Sequence, residues 1–126
     1  APAPLQEACA VGIRELGPSY YEGMTADYKE RRDVFLSSLK DSGFKFSSPE
    51  GAYYVLADFS DLSSDDDTTF SKTLARDGGV APVPGSSFFS APEKGHSVVR
   101  FAFCKRIQTL QAAGERLREF ALNRQH

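Results

Sequence analysis

Arg100 is the residue whose type and setting promise the most chemistry. It places a guanidinium in the middle of Val98-Val99-Arg100-Phe101-Ala102-Phe103, a run otherwise composed for a buried strand. Burying that charge without compensation costs several kcal/mol. Alternation along an extended strand sends Val99, Phe101 and Phe103 to one face and Val98, Arg100 and Ala102 to the other, so the fork emerges among small neighbours. A planar carboxylate fits such a fork through two parallel N–H···O bonds. The residue types leave a second reading open, in which Arg100 is paired inside the fold with an acid such as Asp58.

Other apparent motifs fail on chemistry. Asp61, Ser63, Asp65 and Asp67 imitate the start of a calcium loop, but the twelfth position, where a bidentate glutamate belongs, is Lys72. Capping of a following helix and compensation of its dipole explain these acids better. Pro84-Gly85-Ser86-Ser87-Phe88 has a serine beside glycine but not the strand-to-helix elbow of G-x-S-x-G, so no serine nucleophile is implied. His96 sits in a Gly-Ser loop and is expected to be solvated, with no partners for a metal site. Cys9 and Cys104 are far apart and lack C-x-x-C spacing; each is expected to be a small buried or half-buried thiol in a reducing compartment.

The elements that must position Arg100 follow from periodicity. Pro4 suits the first turn of a helix through Leu5, Ala8, Cys9, Ile13 and Leu16, which Gly17-Pro18 interrupts. A longer helix carries Tyr28, Phe35, Leu36 and Leu39 at helical spacing, with Gly43 as its C-terminal cap. Phe44 and Phe46 suggest a short extended stretch, and Pro49-Glu50-Gly51 turns the chain into a central strand over residues 52–58. A helix from about Thr68 to Ala75 stops at Gly78-Gly79. Val80-Ala81-Pro82-Val83-Pro84 is at most an edge strand, because two prolines cannot donate to a ladder. After a loop over residues 86–97 come the Arg100 strand and a closing helix with Ile107, Leu110, Leu117, Phe120 and Ala121 on one side. The order predicts an α+β two-layer sandwich, a small and mostly antiparallel sheet with helices on one face and the Arg100 face left for solvent or a larger body.

Composition bounds the function. The 126 residues fit one domain, 1–126, with 1–43 a helical segment leading in and 44–126 a small α/β unit. Forty per cent hydrophobic content, with ten Phe and five Tyr, suffices for a core. Fifteen basic and seventeen acidic residues are scattered, which excludes a phosphate-tracking surface and with it nucleic acid. No apolar run approaches the roughly 20 residues needed to span a bilayer, so no membrane partner is expected. The start at Ala1-Pro2-Ala3-Pro4 has neither a basic nor an apolar leader region, and without an initiator methionine the chain is expected to be an excised piece, cytoplasmic or organellar rather than secreted.

Three blocks in order carry a family resemblance: Pro49-Glu50-Gly51-Ala52-Tyr53-Tyr54 with Asp58, then Gly79-Val80-Ala81-Pro82-Val83-Pro84-Gly85-Ser86-Ser87-Phe88, then Val99-Arg100-Phe101-Ala102-Phe103. Together they resemble the C-terminal part of a class I, fold-type-I, pyridoxal-phosphate-dependent aminotransferase. Pro4-Leu5-Gln6-Glu7-Ala8 and Tyr28-Lys29-Glu30-Arg31-Arg32-Asp33 resemble the helices that precede this region, so the likeness covers nearly the whole chain. Val99 to Lys105 is most similar to the branch of kynurenine aminotransferases, cysteine-S-conjugate β-lyases and methionine or glutamine transaminases.

The resemblance implies that Arg100 grips the substrate α-carboxylate and that the open sheet face meets a large cofactor-binding domain, in a homodimer. It also implies that Tyr54 lies near the substrate side chain and that Gly51 and Phe88 approach the site, whereas Tyr53 is expected to be a core residue. The substrates implied are an amino acid and a 2-oxo acid. Pyridoxal 5'-phosphate requires a Schiff-base lysine, a carboxylate at its ring nitrogen and phosphate donors, which in the family precede this region. Ser37-Ser38-Leu39-Lys40 only superficially resembles the lysine motif, since Lys40 ends a helix stripe and precedes Asp41-Ser42-Gly43. The chain alone is therefore expected to be inactive. The competing expectation is a self-sufficient α+β, ferredoxin-like module that binds a ligand or a protein through the Arg100 face.

Overall fold

The computed structural model describes residues 1–124. Helix α1 spans Ala3–Glu15 and helix α2 spans Pro18–Leu39, each with a proline in its first turn, where the missing N–H has no intrahelical partner to lose. No residue of α1 is buried. Cys9, expected to be at least half-buried, is therefore exposed, because the helix that carries it buries none of its residues. The first half of α2 is equally bare, with Tyr20, Tyr21 and Met24 exposed. Its second half buries Phe35, Leu36 and Leu39, and Tyr28 packs against them. Gly43 closes the turn after α2 instead of capping it: Lys40 is the C-cap, and Gly43 takes a left-handed φ of 76° against Leu62.

Strands β1 Lys45–Phe46, β2 Tyr54–Asp58, β3 Val83–Pro84 and β4 Val98–Ala102 form one antiparallel sheet in the order β1-β2-β4-β3. Strand β2 starts two residues later than expected, since Ala52 adopts φ 62° and breaks the extended run. Tyr53 is consequently not a core residue; it precedes the strand and is 47% exposed. Helix α3, Asp67–Asp77, links β2 to β3 on the far side of β4. Asp66 caps it, its carboxylate accepting from the Thr69 N–H at 2.8 Å. Helix α4, Ile107–Leu122, closes the fold.

The helices lie on one face, giving the two-layer α+β sandwich. Val55, Ala57, Val99 and Phe101 from the sheet meet Leu39, Phe70, Leu74, Leu110 and Leu117 from the helices, all buried. Phe35 of α2 meets Phe101 edge-on at 5.7 Å, and Phe70 of α3 stacks on Phe59 at 3.9 Å. Each such side chain contributes roughly 1.5–3 kcal/mol through burial. Gly114 lets α4 approach α2 so closely that a Cβ there would lie 2.1 Å from that of Ser38. The opposite sheet face is uncovered, and Leu56 and Val83 on it are exposed. No helix among the described residues is long and apolar enough to cross a membrane.

Candidate functional site

Arg100 occupies the middle of β4 on the uncovered face. The register sets Leu56 of β2 on one side of it and Val83 of β3 on the other, forming one cross-strand row. Burial alternates along β4 as the sequence pattern requires, with Val99 and Phe101 buried and Arg100 half-buried. Two aromatic rings flank the guanidinium. Tyr54, from β2, has its ring centroid 5.1 Å from Arg100 Cζ, and the Phe88 ring lies at 4.3 Å.

Phe88 reaches Arg100 because the chain after β3 coils tightly. Gly85–Phe88 and Pro92–Gly95 form two 3-10 turns that press together through their glycines; a Cβ on Gly85 would sit 2.4 Å from the Val98 carbonyl oxygen, and one on Gly95 would sit 2.4 Å from Ser86 N. Only glycine permits backbones that close. The turn is also tied to α3, whose buried Asp67 accepts from the Ser86 N–H at 2.7 Å.

Among the described residues the guanidinium has no ionic partner. None of the ion pairs among the described residues includes Arg100, and its Nε is buried without a hydrogen-bond acceptor. Asp58, the acid expected as its internal mate, is committed elsewhere, accepting from the Ser60 N–H at 2.8 Å and the Ser97 hydroxyl at 3.1 Å. Burial opposes the Asp58 charge, yet the bonds from Ser60 and Ser97 and the nearby Lys45 hold its carboxyl below the usual value. The aromatic faces attract Arg100 without neutralising it. A buried N–H left unpaired costs about 1–3 kcal/mol, which an arriving anion would recover. Chemically, the arrangement is a pre-oriented cationic fork between two rings, open on one side.

Three of the four expected site residues therefore come together: Arg100, Tyr54 and Phe88. Gly51 lies elsewhere. It lines a cleft of about 780 Å³ between α2 and the turn before β2, with Tyr28, Arg32, Tyr53 and Phe103. Arg32 crosses this cleft to donate to the Pro49 carbonyl at 3.1 Å. In the acidic loop, capping falls to Asp66, while Asp61 pairs with Lys45 at 2.6 Å. Among the described residues no group of three or more His, Cys, Asp or Glu is arranged to hold a metal ion. His96 and Lys40 are exposed, and Cys104 is half-buried.

Sequence reasoning placed Asp67 in the capping cluster and missed its contact with Ser86. The available signal was a pair of adjacent acids at a helix start: when the first caps, the second points about 100° around the axis, here toward the turn.

Comparison with known proteins adds the following. The family model described as aminotransferase class I and II matches residues 1–117. A methionine aminotransferase of Escherichia coli is 36% identical over 116 residues, which are 92% of this chain and 30% of that protein. Kynurenine–oxoglutarate transaminase 1 of Rattus norvegicus is 33% identical over 115 residues, 81% of this chain and 27% of that one. The solved structure of N-succinyldiaminopimelate aminotransferase from Mycobacterium tuberculosis superposes with a TM-score of 0.81 at 33% identity, covering 94% of this chain and 30% of that one. The chain thus spans about 30% of the length of the first relatives it matches.

Proposed function

The chain belongs to the class I and II aminotransferase family, and from that premise we propose that it is the substrate-carboxylate-binding part of a pyridoxal-phosphate-dependent aminotransferase. One observation carries the reading: Arg100 presents a charged, unpaired fork on an uncovered sheet face, with Tyr54 and Phe88 beside it. An amino acid and the 2-oxo acid derived from it bear the same carboxylate next to the reacting carbon. One fork therefore orients both halves of a transamination. Tyr54 and Phe88 wall the space beside that carboxylate, while Gly51 lines a separate cleft.

The residues around Arg100 do not fit pyridoxal 5'-phosphate itself. Its Schiff base needs a lysine, but the row of Arg100 holds Leu56 and Val83; Lys45, two strands away opposite Asp58, is already bound to Asp61, and Lys40 lies exposed beyond α2. In this reading the cofactor is held by a large domain outside the chain, and no step through it belongs to these residues. Exposed Leu56, Val83 and Phe88 on the Arg100 face suit contact with that domain, whereas a self-sufficient module would close the face with its own helices. Leu5, Ile13, Tyr20 and Met24 on α1 and α2, with Leu16 between the helices, suit contacts with the same domain and a second subunit. Residues 44–126 then act as the small domain and 1–43 as the helices leading in. The similarity of the Val99 to Lys105 block supports the branch of kynurenine aminotransferases, cysteine-S-conjugate β-lyases and methionine or glutamine transaminases.

Borohydride reduction in the presence of pyridoxal phosphate tests this directly. In the complete protein the label is expected on a lysine outside these 126 residues, with conversion of amino acid to oxo acid. Stoichiometric labelling of one lysine in the isolated chain, with turnover, would refute the proposal.

A further inference from the structure

We propose that Asp67 is a positioning residue for the carboxylate site, acting through Ser86 and Phe88 on Arg100. The inference rests on the reading of Arg100 as a carboxylate fork and extends it to a residue that does not touch the substrate.

Asp67 is a charged side chain only 2% exposed, in the first turn of α3. Capping does not account for it, since Asp66 caps the helix through Thr69. Its one hydrogen bond among those described runs to the Ser86 N–H, 2.7 Å away and nineteen residues along the chain. Ser86 lies in the 3-10 turn that ends at Phe88, and the Phe88 ring sits 4.3 Å from Arg100 Cζ. No other side chain among the described residues hydrogen-bonds to that turn. Ser71, one helical turn further along the same face of α3, is also buried, but its hydroxyl has no partner. On the other side the turn is jammed against β4, where Gly85 meets the Val98 carbonyl. Asp67 therefore fixes the free side of a turn whose position decides whether Phe88 covers the guanidinium. A charge-assisted bond donated by a backbone N–H to a buried carboxylate is among the stronger restraints available.

The test uses the complete protein with 3-phenylpropanoate as a simple monocarboxylate probe, its dissociation constant read from competitive inhibition. Asp67→Ala is expected to weaken binding about tenfold, and Asp67→Asn, whose amide oxygen still accepts from Ser86, to recover most of that loss. The Asp67→Ala/Phe88→Ala double variant is expected to bind no more weakly than Phe88→Ala alone, a coupling that a purely structural role would not produce. Should Asp67→Ala fail to fold, Asp67→Glu, which displaces Ser86 while keeping the charge, is expected to weaken binding too. Arg100→Lys separates the two levels. Weaker binding in Arg100→Lys with none in the Asp67 variants, or independent losses in the double variant, overturns the positioning role alone. Unchanged binding in both overturns the Arg100 reading with it.

Discussion

Gly114 sets how closely α4 lies on α2, and replacing it with alanine should destabilise the fold although alanine is the better helix former. A Cβ at this position would lie 2.1 Å from Ser38 Cβ and 2.6 Å from Ser38 Oγ. Carbon atoms at rest sit about 3.5–4.0 Å apart, so the helices must separate by roughly 1.5 Å. Helix propensity favours the alanine by about 1 kcal/mol. Overpacking costs about 1–3 kcal/mol, and a misfit this large belongs at the upper end. The net loss is about 1–2 kcal/mol, a fall in Tm of roughly 4–8 °C for a domain of this size. Urea unfolding followed by circular dichroism measures it. Ser38→Gly removes both clashing atoms and leaves Ser38's Cα position 3.4 Å away, so in that background the sign should reverse and Gly114→Ala should stabilise by up to about 1 kcal/mol. A stabilising Gly114→Ala in the original chain, or no reversal with Ser38→Gly, would refute the close-approach argument.

Phe70→Ala removes the ring that stacks on Phe59 at 3.9 Å and touches Phe44 and Phe120; it is expected to cost about 3–5 kcal/mol in urea unfolding, and a loss below 1 kcal/mol would contradict the packing described. Asp58 titrates below its ordinary value of 3.8 in the folded chain. A depressed folded value means its stabilisation is complete above the ordinary value and is lost as pH falls through the lower one, so Asp58→Asn should flatten the acid side of the urea-midpoint curve below about pH 4. An unchanged acid slope would show that Ser60 and Ser97 do not hold the charge.

Much of this architecture was legible in the residues because it depends on local rules. Alternation put Arg100 on the face opposite Val99 and Phe101, and two prolines confined β3 to an edge; both hold in the sheet. Prolines opening α1 and α2, and Gly79 with φ 65° beyond α3, stand where backbone chemistry requires them. What failed depended on partners. The apolar positions of α1 implied a buried stripe, yet periodicity says only that a face seeks cover, not that this chain supplies it, so Cys9 is exposed. Tyr53 was misplaced because a β-rich run does not reveal that Ala52 turns left-handed. At the site, the meeting of Tyr54 and Phe88 over Arg100 joins residues from three segments, and family likeness pointed to it where spacing did not. Gly51 shares a block with Tyr54, but the turn between them carries it to a different cleft. The role of Asp67 was hidden because its partner is a backbone N–H.

The central claim is that Arg100 binds the carboxylate of both substrates. Arg100→Lys in the complete protein keeps the charge but replaces a rigid fork with a point charge on a different stem. Losing a charge-assisted bond of about 1.5–3 kcal/mol lowers kcat/KM roughly ten- to a hundredfold. The fall should be equal for the amino acid and the oxo acid, with cofactor occupancy near normal, because both present the same carboxylate to the same fork. If Arg100→Lys instead destabilises the fold while the surviving protein turns over both substrates at the original kcat/KM, Arg100 is a structural residue and the account is wrong at its centre.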